Sequence, residues 1–262
     1  MTWLLWIAYK GTRYAGFQVQ RNAPTICAAL QDAMQAAWGQ RPDVKGCSRT
    51  DAGVHARRFA LSFCYTGRVP ADKMVPALNA HLPPDIRALE LEPVPDGFHA
   101  RYSAHAKTYC YHIRNARVDD PFTVEYCHRV AQPLDLAAMQ AAAARFVGTH
   151  DFLALCASGS GVAARGDTVR TISACGVERR GEYLTITVTA DGYLYNMVRI
   201  LAGTLVEAGQ HKRTADSIPA LLESRDRRKA GPTLPAKGLF LQDVAYPDLG
   251  RSKGATVAHG DA

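Results

Sequence analysis

Apolar and aromatic side chains follow one another almost without a break from Trp3 to Tyr9 and stop at Lys10-Gly11, which predicts a buried strand over residues 3–9. Past a polar stretch, Thr25 introduces ICAALQDAMQAAW. There Ile26, Leu30, Ala33, Met34 and Ala37 recur at three- and four-residue spacing, so a helix capped by Thr25 and stopped by Gly39 is expected. Strands are predicted over 54–65 and 86–94, with a short helix between them from Asp72 to Leu82, ended by Pro83-Pro84. A second cycle follows. Residues 108–114 (TYCYHIR) alternate as a strand, and Asp135 caps an alanine-rich helix reaching Val147. Strands are expected over 169–177 and 183–189. In the latter, Leu184, Ile186 and Val188 share one face and threonines the other. Residues 193–208 and 215–223 read as helices, and 239–246 closes the chain as a strand.

This order divides the chain into two α+β halves, 1–104 and 105–249, with sheets covered by helices. Residues 158–166 read as a flexible loop and 250–262 as a frayed tail. Apolar residues at 47% and charged residues at 21% exclude a disordered chain. No apolar run approaches the roughly 18 residues of a membrane span. The first residues lack the basic start of a signal peptide, so a cytoplasmic protein is expected. The cysteines form no C-x-x-C pair and the histidines no H-E-x-x-H, so neither a disulfide framework nor a metal is expected.

Charge changes the picture. The net +7 favours a polyanionic partner. Basic residues cluster at Arg57-Arg58, Arg179-Arg180, Lys212-Arg213 and 225–229. In the N-terminal half they interleave with Tyr14, Phe17, His55 and Phe59, the make-up of an RNA-facing groove as well as of an ordinary solvated surface. No phosphate loop, dinucleotide fingerprint or nucleophile elbow is present.

Three residues stand out as candidates for chemistry. In GCSRTDAGVHA, Asp51 is either a turn residue ahead of Gly53 or a reactive carboxylate beside Arg49, which an extended backbone would point the same way. Arg199 interrupts YLYNMVRILAGTLVEA, a helix apolar on nearly every side. It either snorkels outward or pairs with a carboxylate, Asp51 being a candidate, since an isolated buried charge is unstable. Tyr109 is either core packing or a platform for a base.

These residues resemble those of the TruA-type tRNA pseudouridine synthase family. GCSRTDAGVHA is similar to its catalytic segment. GTRYAGFQVQ (11–20), FHARYSAHAKTYCY (98–111), DGYLYNMVR (191–199) and GLFLQDVAYP (238–247) are similar to further family blocks in the same order. One departure is Leu153-Ala154-Leu155-Cys156 after His150-Asp151-Phe152, where the family usually carries another aromatic. The resemblance implies a homodimer of α+β protomers, each made of two ferredoxin-like halves. Each half is a largely antiparallel sheet with helices on one face, and the sheets face a central basic cleft. It also implies isomerisation of uridines 38–40 of the tRNA anticodon stem-loop without metal or cofactor. By the same carry-over Asp51 is catalytic, Tyr109 contacts the substrate, Arg199 pairs with the aspartate, and Arg49 lies on the RNA path; the clustering of basic and aromatic residues adds His55, Arg57 and Arg58 as substrate-binding candidates in the groove. On chemistry alone, a non-catalytic RNA-binding protein or a nucleoside hydrolase competes. The hydrolase usually needs a second carboxylate, and the closest one upstream is Asp43.

Overall fold

The structure, a computed structural model, describes residues 1–159 and 166–247. The loop expected over 158–166 therefore lies largely outside the described residues, and the expected tail over 250–262 wholly outside them.

The apolar run at the start forms β1 (Thr2–Tyr9), between β3 (His55–Cys64) and β4 (Ile86–Val94). Helix α1 (Ile26–Trp38) is capped as expected: Thr25 Oγ1 accepts from Ala28 N at 3.3 Å, and Gly39 takes a left-handed conformation at φ 70°. Its buried stripe ends in Trp38, which stacks on Phe63 at 5.6 Å and donates to Met74 O at 3.1 Å. That contact docks α1 on both β3 and α2 (Ala71–His81).

The second cycle supplies β5 (Ala106–Arg114), α3 (Leu136–Ala144), β8 (Val169–Arg180), β9 (Tyr183–Ala190), α4 (Met197–Gly209), α5 (Ser217–Ser224) and β10 (Leu239–Ala245). Asp135 Oδ1 caps α3 through Ala138 N at 3.1 Å. Three short strands, β2 (Lys45–Gly46), β6 (His128–Arg129) and β7 (Gly148–Asp151), complete the set; at two to four residues they are too brief to show alternation.

All ten strands join one mixed, mostly antiparallel sheet in the order β4-β1-β3-β10-β5-β9-β8-β7, with β2 on β3 and β6 on β5. The last strand makes it continuous. β10 lies parallel to β3 through the pairs Phe240↔His55 and Leu241↔Ala56, and antiparallel to β5 on its other side. Leu184, Ile186 and Val188 are fully buried on one face of β9. On the other, Thr189 meets Thr108 at 2.9 Å and Thr187 meets Cys110 at 3.6 Å.

Several helix boundaries differ from the sequence pattern, among them the start of α5 at Ser217 instead of residue 215. α2 begins one residue early, behind Pro70, and α3 ends at Ala144 because Gly148 already starts β7. α4 begins at Met197 instead of residue 193. Asn196 adopts a left-handed conformation, φ 60°, that no helix can pass through. The Tyr193 hydroxyl, 2.7 Å from Lys107 O and 2.8 Å from Val188 O, ties the segment ahead of it to the sheet instead.

α4 is buried along nearly its whole length. A Cβ on Gly203 would lie 1.9 Å from Pro232 O, and Thr204 Oγ1 accepts from Gly231 N at 3.0 Å. The segment before β10 is thus pressed onto the helix backbone. Gly203→Ala is expected to lower stability by about 1–3 kcal/mol or more through overpacking, read as a fall in thermal midpoint. An unchanged midpoint would show that residues 231–232 yield without cost.

Candidate active site

Asp51 sits in the loop between β2 and β3, and that loop is held from behind by residues 9–17. The Tyr9 hydroxyl meets Thr50 Oγ1 at 2.8 Å in a buried contact, Phe17 N donates to Thr50 O at 3.1 Å, and Gly53 N donates to Tyr14 O at 3.3 Å. Gly16, at φ +96°, approaches so closely that a Cβ there would stand 2.5 Å from Thr50 O. GTRYAGFQVQ therefore forms the rear wall of the Asp51 loop. Gly53 takes the positive φ that the turn pattern predicts.

The structure brings Asp51 and Arg199 together. Asp51 Oδ2 lies 3.8 Å from Arg199 Nη1, with side chains 34% and 17% exposed. That separation is an ion pair in electrostatic reach, not a hydrogen bond. The guanidinium spends its directed donors elsewhere: Nε donates to Leu234 O and Nη1 to Asn196 Oδ1, each at 2.7 Å. The left-handed turn that delays α4 thus places the Asn196 oxygen where it steadies Arg199.

Two opposing effects act on the Asp51 carboxyl. Burial raises the carboxyl above its ordinary 3.8, and Arg199 only partly opposes it. Among the described residues the ion partner of Asp51 is Arg199 and not Arg49. Arg49 is exposed and lines a neighbouring cavity of about 510 Å³ with Phe17, Ser48, His99, Arg101 and Tyr102.

Tyr109 lies on β5 within electrostatic reach of Asp51. It is only 5% exposed: its ring meets Tyr193 edge-on at 4.9 Å, and its hydroxyl lies 3.0 Å from Ser48 Oγ. Burial raises the phenol's pKa further, so it keeps its proton. Little of the ring is free for a base to stack on. Ser48, Thr50, Tyr9 and Asn196 are contributors that sequence reasoning passed over. Ser48 and Thr50 stood inside the quoted GCSRTDAG stretch.

The other groove residues fall elsewhere. His55 is 1% exposed, takes Gly11 N on Nδ1 at 3.1 Å, reaches Glu125 O through Nε2 at 3.2 Å and stacks on Phe240 at 4.6 Å. It is packed in the core. Arg58 forks onto Glu90 at 3.0 and 2.9 Å and lies over Trp6 at 4.2 Å, so its charge is already matched. Arg57 is exposed and lies 5.6 Å from the Phe240 ring. Phe240 pairs with Cys110, and alternation along β5 turns Cys110 away from Tyr109, so Arg57 is on the opposite face of the sheet from Tyr109. Phe17 and Phe59 stack on each other at 4.4 Å in the core. Among the described residues, no three His, Cys, Asp or Glu side chains are grouped to hold a metal ion.

The raised Asp51 pKa fixes a sign. The folded carboxyl holds its proton more tightly than the unfolded chain does, so stability falls as pH rises through that window, and at pH 7 the charged form is a net cost. Asp51→Asn is therefore expected to leave the thermal midpoint at pH 7 unchanged or higher, since Arg199 retains both neutral acceptors. A midpoint several degrees lower would mean that the ion pair outweighs burial.

The sequence model of the family described as tRNA pseudouridine synthase matches residues 5–103 and 142–247. Asp51 falls in the first stretch and Arg199 in the second, with Tyr109 between them. A protein of Moorella thermoacetica named tRNA pseudouridine synthase A is 45% identical over 92% of this chain and 97% of its own. Proteins of the same name from Thermoanaerobacter sp. and Acetivibrio thermocellus are 41% and 43% identical, each over 92% of this chain and 97% of their own. With its Asp51 loop and its α4 arginine inside the two matched stretches, the chain belongs to the tRNA pseudouridine synthase family.

Proposed function

We infer that this chain isomerises uridine to pseudouridine in tRNA, at uridines 38–40 of the anticodon stem-loop, with Asp51 acting on the nucleotide. The observation that carries this reading is a partly buried carboxylate 3.8 Å from a fixed guanidinium and beside a buried tyrosine, in a chain of this family. The reaction breaks the N1–C1′ bond, turns the uracil over and rejoins it through C5, with C5 losing a proton. A paired base must first leave its stack, at a cost of a few kcal/mol. Ionised Asp51 then either attacks C1′ or takes the C2′ proton as the glycosidic bond breaks. Arg199 keeps enough positive potential beside the carboxylate to oppose its burial. Tyr109, protonated and aimed by Ser48, supplies a wall and a hydroxyl at the base.

In this reading residues 1–104 carry the aspartate loop and 105–249 complete the site. They act as two ferredoxin-like halves facing a basic cleft, and the two stretches of the family match support that division. Arg49 stands on the RNA path, and the protein works as a cytoplasmic homodimer without metal or cofactor.

Asp51→Asn is expected to lower pseudouridine formation by at least about a thousandfold while the dissociation constant for unmodified tRNA stays nearly constant. Turnover by a clean preparation of the variant would remove Asp51 from the chemistry. The acid limb of kcat/KM is expected above the ordinary Asp range, because burial raises the group that must be ionised. Arg199→Met removes the opposing charge, so that limb shifts to still higher pH; a shift to lower pH would refute the pairing. Binding of tRNA is expected to weaken steeply with salt as phosphate contacts release counterions, and a flat dependence would exclude the basic cleft.

A further inference from the structure

Lys107 is a buried cation without an anion. Its side chain belongs to β5, two residues before Tyr109 and on the same face of the sheet. It is 9% exposed, and among the described residues its ammonium makes no hydrogen bond and no ion pair. An isolated buried charge is normally matched or moved to the surface. Nothing nearby does so. Cys47 lies closest in influence, but burial pushes its thiol up to about 12, so it is neutral at pH 7. Asp191 attracts Lys107 only at a distance and is engaged with Thr171 N at 3.0 Å. Arg101 adds a second positive charge, and its own contact is with the Tyr102 ring at 5.6 Å.

The ammonium is nevertheless not sealed in. The enclosed side-chain atoms without partners among the described residues are His112 Nε2, Arg114 Nε and Thr168 Oγ1. Lys107 Nζ is not one of them, so its tip reaches an opening. Arg101, the cation that acts on Lys107 electrostatically, lines the cavity shared with Ser48 and Arg49. Two cations that repel each other, one of them on the same face of β5 as Tyr109, form a pair that an outside anion would complete.

We propose that Lys107, with Arg101, receives one phosphodiester of the tRNA strand beside the uridine presented to Asp51, and so acts as a positioning residue for the reaction. The proposal rests on the functional reading above. A phosphate there offsets the burial of the ammonium and separates the two positive charges. It also fixes the sugar next to the scissile bond, where a small displacement costs rate. Burial lowers the Lys107 pKa, which accords with a charge that lacks its counterpart in the free protein.

The test uses an anticodon stem-loop RNA carrying a single neutral methylphosphonate at successive linkages around the target uridine, bound to the Asp51→Asn protein so that no turnover intervenes. At one linkage, neutralisation is expected to weaken binding roughly ten- to a hundredfold, the range of a charge-assisted hydrogen bond. In the Lys107→Met background the same substitution should have almost no effect, and Lys107→Arg should restore it. Lys107→Met should also reduce the slope of log affinity against log salt by about 0.7–0.9, one phosphate contact, without a lower thermal midpoint. Equal methylphosphonate effects in both backgrounds, or an unchanged salt slope, would overturn the assignment. So would inhibition by inorganic phosphate that depends on Lys107 without any linkage-specific effect, which would reassign the site to a free anion. Loss of pseudouridine formation by the wild-type chain would count against the enzyme reading alone, because the linkage experiment reads binding only.

Discussion

The arrangement around Asp51 depends on how the charge of Arg199 is held inside a buried helix. A guanidinium has five donors and one charge. Here the directed contacts go to neutral oxygens, Leu234 O and Asn196 Oδ1, and the charge is left to act on Asp51 across 3.8 Å. Each neutral contact has its own structural support. Leu234 follows the segment that Gly203 and Gly231 let onto α4, and Asn196 occupies a left-handed turn. The cation is thus fixed in position by groups that do not neutralise it.

That division explains the state of the carboxylate. If Asp51 accepted a bidentate bond from Arg199, its pKa would fall and its lone pairs would be occupied. At 3.8 Å the arginine opposes burial without overcoming it, and the carboxylate keeps free lone pairs and some basicity. The loop carrying it is rigid for a different reason: Tyr9, Phe17 and Gly16 hold the backbone at Thr50 and leave the Asp51 side chain unengaged. Immobile backbone with an uncommitted side chain is the condition under which a weak base acts repeatedly on one geometry.

Much of this was legible in the letters, and what was not has physical causes. Periodicity located the long strands and helices because each buries one face, and the chemically odd residues, Asp51 in its turn and Arg199 in its apolar helix, were visible as exceptions. The start of α4 was not visible, since nothing in GYLYNM announces that Asn196 takes positive φ. Strands of two to four residues carry no period. The burial of His55 and the matching of Arg58 by Glu90 were not visible in the letters for a related reason. The register breaks between Ile7↔Phe59 and Tyr9↔Ala56, a bulge across residues 57 and 58, and composition does not say which face of a sheet a basic pair will serve. Burial is equally silent in sequence, so the upward pull on Asp51 is a property of the fold that no letter announces.

Lys107 and Asp51 represent opposite halves of one electrostatic problem. Each is a charge kept partly out of water, one with a distant partner and one with none. In the free protein both oppose folding, which a chain selected only for stability would correct with a neutral side chain at little loss of packing. Their presence in one chain makes sense if the missing partners arrive with the substrate: a phosphate for the cation, and an electron-poor sugar carbon or its acidic proton for the anion. The unfavourable energy is then withdrawn when RNA binds, and the gain goes to the nucleotide that brings both groups to the right places. On that proposal a ligand offering a phosphate without the sugar relieves only one of the two, so the pair of charges would also discriminate between substrates.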